Sequence, residues 1–240
     1  MDTGYYSACA GLIAKMVALD MAANNLANTS TTGFRAQNTT FESVLARAGA
    51  QTGRLASQFG VAQAPVVDLT QGNLETTGNP LDIAIEGPGF FAIQTKDGVR
   101  YTRAGSFRLS STGRLITSAG DAVLGEQGPI QLANGSMTVS GDGTISINGA
   151  LAGKLRVVEF APGTPLTNCG ASNYSAPQAA ATAATRSKLH QGKLESSNVN
   201  PVAGAVGLIA IQRHAEMLQR ALATFHNEFN RLAAQELPKV

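Results

Sequence analysis

Apolar residues recur at spacings of three and four at both ends of this chain, and this pattern constrains the fold more than any other feature. Near the C-terminus it runs unbroken through Leu208, Ile211, Ala215, Leu218, Leu222, Phe225, Phe229 and Leu232. Such spacing places every member on one side of an α-helix. Pro201 precedes the pattern and Pro238 follows it, which predicts a helix of about 34 residues and roughly 50 Å. A helix of that length extends beyond the surface that one small domain can cover.

A second heptad pattern opens the chain. Its members are Tyr5, Cys9, Leu12, Met16, Leu19, Ala23 and Leu26. It predicts a helix from Asp2 to Asn28, because the residues that follow compete for backbone hydrogen bonds, and Gly33 can adopt the left-handed conformation that ends helices. Burying each large apolar member would contribute about 1.5–3 kcal/mol. Both helices are marginal alone in water, so each apolar stripe needs a partner.

Between the helices the apolar pattern changes to period two. Leu81, Ile83 and Ile85 share one face of a predicted strand. The stretches 91–93 and 99–102 flank an Asp-Gly turn and predict a β-hairpin. Further short strands are predicted at 106–109, 114–117, 122–124, 137–139, 144–147 and 155–160.

These patterns predict an α+β protein. The terminal heptad helices would form a coiled-coil-like axial stalk, and the centre would be an all-β domain of short antiparallel strands. The predicted segments are an N-terminal axial helix at 1–35, a connector at 36–76, the β domain at 77–162, a flexible connector at 163–196 and a C-terminal axial helix at 197–240. The connector at 163–196 contains the low-complexity run SAPQAAATAAT.

Composition excludes several classes of function. Charged residues make up 14% of the chain and the net charge is +2, too little for a phosphate-binding track, so no nucleic-acid partner is expected. The longest apolar run, 205–211, is far shorter than the roughly 20 residues that span a bilayer, so the protein is not expected to be membrane-inserted. The first residues lack the basic segment of a secretory signal peptide.

No set of residues suggests catalysis. His190, His214 and His226 lack the spacing of metal ligands. Asp82 and Glu86 alternate with the apolar face of the first predicted strand and are expected on its solvated face. We therefore predict no enzymatic activity, no catalytic residues, no cofactor, no bound metal and no small-molecule substrate.

Four ordered segments resemble the bacterial flagellar basal-body rod and hook proteins. They are ANNLANTSTTGFR (23–35), TGNPLDIAIEGPGFFAIQ (77–94), YTRAGSFRLSSTGRLITSAGDAVLG (101–125) and LESSNVNPV (194–202). The residues that match the N-terminal signature are Ala23, Asn24, Asn25, Leu26, Ala27, Asn28, Thr31, Thr32, Gly33 and Phe34. Within the family, the chain is most similar to proximal rod proteins, with distal rod proteins as the alternative. The similarity rests on the TGNPLD motif, the stretch 123–130 and the short length of the chain.

The resemblance implies a structural subunit that self-assembles through its terminal helices into the rod, the drive shaft that transmits torque for motility. It implies a place in the flagellar basal body, export through the flagellum's own export apparatus without a cleaved signal peptide, and other rod subunits as partners. The expected assembly interface consists of Tyr5, Leu12, Met16, Leu19, Leu26, Leu208, Ile211, Leu218, Leu222, Phe225, Phe229 and Leu232.

Three alternatives stay open from the sequence. The two stripes could bury each other in a helical hairpin within one molecule. The β domain could belong to a secreted or periplasmic enzyme with a helical dimerisation arm, although no converging acid, base or metal set is seen. The chain could also be a hook-type subunit, but its 240 residues leave little room for the additional outer domain of hook proteins.

Overall fold

A computed structural model describes residues 2–43, 61–133, 135–161 and 163–236. Within these ranges α-helix α1 spans Asp2–Ala27 and α2 spans Pro201–Glu236, which confirms both predicted helices. The strands between them are β1 (Gln37–Ser43), β2 (Val61–Val67), β3 (Leu74–Thr76), β4 (Ile83–Glu86), β5 (Phe90–Thr95), β6 (Gly98–Thr102), β7 (Arg108–Leu109), β8 (Leu115–Ile116), β9 (Ala122–Gly125), β10 (Gly128–Pro129), β11 (Met137–Val139), β12 (Thr144–Ile147), β13 (Ala150–Lys154), β14 (Val157–Phe160), β15 (Thr167–Asn168), β16 (Asn173–Ser175), β17 (Ala181–Ala183), β18 (Lys188–Gln191) and β19 (Lys193–Glu195). The fold class is α+β, as predicted.

The chain divides into two compact units. The helical unit comprises Met1–Leu26, Asn38–Pro65 and Pro201–Val240, and the β unit comprises Ala27–Gln37 and Val66–Asn200. The chain therefore passes from one unit to the other four times. In the helical unit, β1 and β2 pair with each other.

The core of the β unit is organised around β5. Phe91 and Ile93 of this strand enter one apolar cluster, which also contains Ile83 and Ile85 of β4. Phe90 and Ala92 point the other way and enter a second cluster. Because successive side chains of a strand face opposite sides, a strand buried on both faces reads as the continuous apolar run FFAI.

Aromatic rings complete the second cluster. Phe90 packs edge-on against Phe160 and Tyr174, with ring centroids 5.6 and 5.9 Å apart, and Phe160 packs in the same way against Tyr101. Edge-to-face contacts of this kind stabilise a core beyond the area they bury. The two clusters give the β unit a core of its own.

Antiparallel pairing links the strands of the β unit. The predicted hairpin is confirmed as β5–β6, which closes with Thr95 opposite Gly98. In the described residues, the main sheet has the order β15-β16-β6-β5-β9-β8-β7, with β10, β14 and β17 attached beside it. A separate sheet, β11-β12-β13, contains the predicted strands 137–139 and 144–147 with the predicted bounds.

The β unit extends beyond the predicted 77–162. Five strands come from the stretch 163–196, and among them β16 pairs with β6, β17 with β14, β18 with β4 and β19 with β3. These pairings satisfy backbone groups of strands that would otherwise be open edges. The low-complexity composition of 163–196 does not predict these strands, because strands of two to four residues are too short to show a clear periodicity.

Asp82 is another difference from the sequence expectation. Its side chain is buried, and it accepts hydrogen bonds from the Thr77 hydroxyl (2.7 Å) and the Asn79 amide (3.1 Å). The carboxylate therefore holds the turn that precedes β4 and does not face solvent. Glu86, by contrast, is exposed as predicted and pairs with His190 across the β4–β18 ladder at 2.7 Å.

Candidate assembly surfaces

The two helices meet where their side chains are small. Cδ1 of Leu218 lies 3.8 Å from the position that a Cβ on Gly11 would occupy. Ala14 and Ala215, each about one turn from that contact, are buried. Glycine and alanine allow helices to approach closely, so this side of each helix is covered within the helical unit.

The opposite side of α1 is open to solvent. Ile13 and Met16 are more than half exposed, and Asp20, one turn further on, is exposed as well. Positions 13, 16 and 20 share a face because they follow the three-four spacing of a helix. We call these three residues the outer stripe of α1.

Helix α2 has a corresponding outer stripe, formed by Val206, Ile209, Arg213 and Met217. Val206 is 63% exposed, and Ile209 and Met217 are also more than half exposed. A groove of about 400 Å³ runs along this part of the helix. It is lined by Ala210, Arg213, His214, Glu216, Met217 and Arg220.

The heptad positions predicted as the assembly interface are neither fully buried nor fully open. Seven of them are half-buried: Leu12, Leu19, Leu26, Leu208, Ile211, Leu218 and Leu222. Met16 and Phe225 are more than half exposed. The side chains of Tyr5, Phe229 and Leu232 lie outside the described part of the structure. The heptad seams thus lie on the flanks of the contact between the helices, and the exposed apolar residues of the α2 outer stripe are ones that the heptad pattern does not include.

The signature segment is divided between the units. Ala23, Asn24 and Ala27 are exposed on the last turns of α1, while Asn25, Leu26, Asn28, Thr31 and Thr32 are half-buried. The Thr31 hydroxyl donates a hydrogen bond to the Asn28 side chain (3.0 Å) in the turn that ends the helix. Gly33 and Phe34 are buried in the β unit, so the second half of the signature builds that unit.

Gly33 shows why this segment needs glycine. Its φ is +66°, in the left-handed region, and a Cβ there would lie 2.4 Å from the backbone nitrogen of Ala104. Its N–H donates a hydrogen bond to the carbonyl of Glu195 (2.8 Å). Only a residue without a side chain fits a position with this φ and this close backbone approach.

Sequence reasoning missed two groups of residues. The residues of the α2 outer stripe are themselves spaced by three and four, so a search for a second apolar row on this helix could have predicted them. Arg35, Arg103 and Glu195 are buried together in the β unit, although each lies in a different family-like segment. No sequence signal pairs them, because their separations are much longer than any secondary-structure period.

Comparison with known proteins agrees with this architecture segment by segment. Residues 6–35 match the family model "Flagella basal body rod protein", residues 84–147 match "Flagellar hook protein FlgE/F/G D1 domain", and residues 190–234 match "Flagellar basal body rod FlgEFG protein C-terminal". The flagellar basal-body rod protein FlgF of Caulobacter vibrioides is 32% identical over 249 residues, covering all of both chains. The chain belongs to the flagellar basal-body rod protein family. The FlgF of Escherichia coli is 34% identical, covering 96% of this chain and 97% of its own.

This rod protein is therefore a structural subunit of the bacterial flagellar basal body and not an enzyme. Relatives named FlgF and relatives named FlgG both align along nearly all of it. The FlgG of Bacillus subtilis, for example, is 30% identical, covering 91% of this chain and 93% of its own. In the described ranges, neither helix has an apolar stretch long enough to cross a bilayer.

Proposed function

We propose that this rod protein is a subunit of the proximal rod that assembles through α1 and α2 into the helical drive shaft and transmits torque for motility. The proximal assignment is supported by the TGNPLD motif and by the full-length similarity to FlgF of Caulobacter vibrioides. The distal rod is the second candidate, because FlgG relatives align over more than nine-tenths of the chain.

The outer stripes carry the assembly proposal. Ile13 and Met16 on α1, and Val206, Ile209 and Met217 on α2, each keep more than half of their surface in water. Aligned exposed apolar residues on a helix favour contact with another protein surface. Covering the exposed part of each side chain would contribute about 1 kcal/mol to association, roughly half of the value for full burial.

The geometry of the stripes favours an open assembly. The outer stripe of α1 and that of α2 are different surfaces, so a contact between them joins one copy to the next head to tail and can propagate into a filament. Their charges are complementary, since Asp20 lies on the first stripe and Arg213 on the second. The outer stripe of α1 therefore packs against the outer stripe of α2 in a neighbouring subunit, which is either a second copy or a related rod protein.

The heptad positions contribute in the same assembly. Half-buried residues such as Leu12, Leu19 and Leu222 flank the contact between α1 and α2 and still present apolar surface. Neighbouring helices that cover these flanks would produce the coiled-coil-like stalk. Phe225, more than half exposed, extends this surface toward the end of α2.

Substitution in one stripe tests the interface. Ile209→Asp places a charge where an apolar contact is proposed, so we expect the variant to be absent from purified basal bodies while its β unit stays folded. Leu151→Asp is the matched control, because Leu151 is 75% exposed on β13 and lies outside both stripes. Incorporation of Ile209→Asp at the level of the control would refute the interface.

Charge exchange tests the pairing of the stripes. Asp20→Arg alone should reduce incorporation, because it brings two positive charges together, and the added change Arg213→Asp should restore it. Equal incorporation of the single and the double variant would show that these two stripes do not face each other.

Complementation separates the two rod positions. The gene should restore swimming in a strain that lacks its proximal rod subunit and not in one that lacks its distal rod subunit. The opposite result would favour the distal rod.

The mass of the subunit recovered from basal bodies would test export without cleavage, because removal of a signal peptide would shorten the subunit at the N-terminus.

A further inference from the structure

Three buried ionic groups form a cluster in the β unit. The side chains of Arg35 and Glu195 have no exposed surface, and that of Arg103 is 1% exposed. Nη2 of Arg35 lies 2.6 Å from Oε1 of Glu195, and Nη1 of Arg103 lies 3.2 Å from Oε2 of the same carboxylate. Two guanidinium groups thus share one carboxylate, which leaves an excess positive charge in the interior.

Carbonyl groups and an aromatic ring balance that excess. Arg35 donates to the carbonyl of Thr70, and Nη2 of Arg103 donates to the carbonyl of Gly87 at 2.6 Å. The Arg103 guanidinium also lies 4.8 Å from the centre of the Phe90 ring, a favourable cation–π distance. Burial and the nearby Arg35 lower the pKa of Arg103 to about 10, so it stays protonated at neutral pH.

Two of the three ionic residues lie close in sequence to points where the chain enters or leaves the β unit. Arg35 follows the end of α1 at Ala27, and Glu195 precedes the start of α2 at Pro201. Thr70 belongs to the stretch that follows the return of the chain at Val66. The cluster therefore joins three segments that continue directly along the chain into the helical unit.

Backbone and amide contacts reinforce the same connection. The N–H of Ala36 donates to the Asn198 side chain at 2.7 Å, and the Asn198 amide donates to the carbonyl of Asp68 at 3.1 Å. The N–H of Gly72 donates to Oε1 of Glu195 at 2.9 Å, which adds to the bond from Gly33 to the Glu195 carbonyl at 2.8 Å. Each of the three segments is thus bound to the others through Glu195 or Asn198.

A buried ion cluster is a poor means of gaining stability, because apolar side chains of the same volume stabilise an interior at least as well. Its directional bonds do fix the relative positions of the groups that make them. We propose that Arg35, Arg103 and Glu195 are positioning residues that lock together the three segments through which the β unit continues along the chain into the helical unit. Given the proposed function, this lock stops the segments from sliding when the rod turns under load.

Hydrogen exchange on the full chain tests the lock. The variant Arg35→Met/Arg103→Met/Glu195→Met removes all three charges and keeps similar volume. We expect the amides of Gly33, Ala36 and Gly72 to exchange about tenfold faster or more. The Gly72 amide loses its carboxylate acceptor, whereas the Gly33 and Ala36 amides keep their acceptors and exchange faster only because the segments that carry them are no longer held. The amides of β5 should keep their rates. Unchanged rates at Gly33 and Ala36, or an equal acceleration at β5, would overturn the proposal.

Two further variants keep the test decisive. Arg35→Lys retains the charge but loses the planar two-pronged donor, so the same three amides should accelerate to a smaller extent even where the triple variant does not fold. Lys154→Met/Glu126→Gln removes an ion pair whose side chains are 42% and 60% exposed, and it should leave these amides unchanged. A wild-type rate in Arg35→Lys would overturn the proposal.

Measuring flagellar rotation at different loads tests whether the lock stops the segments from sliding. Cells whose rods contain the triple variant at the wild-type level should rotate normally at low load and lose rotation at high load, whereas the surface-pair control should behave as wild type. Wild-type rotation of the triple variant at high load would overturn the lock. Failure of the wild-type gene to support rotation would instead refute the proposed function, and hydrogen exchange would still decide whether the segments are locked.

Discussion

Replacing Gly33 with alanine should destabilise the β unit by about 2–5 kcal/mol, for two separate reasons. The φ of +66° is left-handed, and an L side chain there costs about 1–2 kcal/mol. The new Cβ would also lie 2.4 Å from the nitrogen of Ala104 and 2.4 Å from the carbonyl carbon of Arg103. Both atoms are backbone, so the chain must shift, and such overpacking costs about 1–3 kcal/mol.

Urea unfolding measures this effect. The chain has no tryptophan, and the buried Tyr101 and Tyr174 provide fluorescence from the β unit. With an m value of about 2 kcal/mol/M, the unfolding midpoint should fall by roughly 1–2.5 M. The m value itself should not change, because the native fold and its buried surface are retained.

Gly78→Ala is the matched control. The φ of Gly78 is +74°, close to that of Gly33, but no atom lies within 4 Å of the position that a Cβ would occupy there. This change should therefore cost only the left-handed penalty of about 1–2 kcal/mol. Equal midpoints for the two variants would refute the argument that close backbone approach selects glycine at position 33.

Two further changes test other parts of the molecule. Gly11→Ala should stabilise α1 by up to about 1 kcal/mol, because alanine favours helix and its Cβ would lie at an ordinary contact distance of 3.8 Å from Leu218; a lower helical melting temperature by circular dichroism would contradict this. At Glu159, burial alone would raise the pKa, but hydrogen bonds from the Arg186 N–H, the Ser187 hydroxyl and the Arg186 guanidinium outweigh it and hold the pKa below its ordinary 4.5. A depressed carboxyl pKa stabilises the fold above 4.5 and loses that contribution as pH falls through the folded-state value, so Glu159→Gln should flatten the fall of the urea midpoint below 4.5. An unchanged acid slope, equal to that of the exposed-residue control Glu126→Gln, would show that Glu159 makes no such contribution.

Local features of the fold were predictable from the sequence. The first helix ends at Ala27, one residue from its predicted end, because the run after it consists of residues that favour turns. The hairpin between β5 and β6 follows from two apolar runs around an Asp-Gly turn. Strands β11 and β12 alternate buried and less buried residues, so period-two analysis found both.

The surfaces of the helices were harder to predict. A heptad pattern shows which residues can form a seam, but not which side of the helix another element will cover. In α1 the covered side contains Gly11 and Ala14, which carry little apolar surface, while the larger Met16 of the predicted seam stays exposed. Analysis by apolar size favours large side chains, whereas close helix approach favours small ones.

The sequence by itself determined the elements that depend on neighbours along the chain: both helices, the hairpin and the glycine turns, because their signals repeat within a few residues. Only the tertiary structure decided which strands from 163–196 complete the β unit and which faces of α1 and α2 stay open. It alone brought Arg35, Arg103 and Glu195 together. Each of these outcomes depends on contacts between residues far apart in sequence, whose formation is governed by packing and burial across the whole unit and leaves no periodic pattern in the chain.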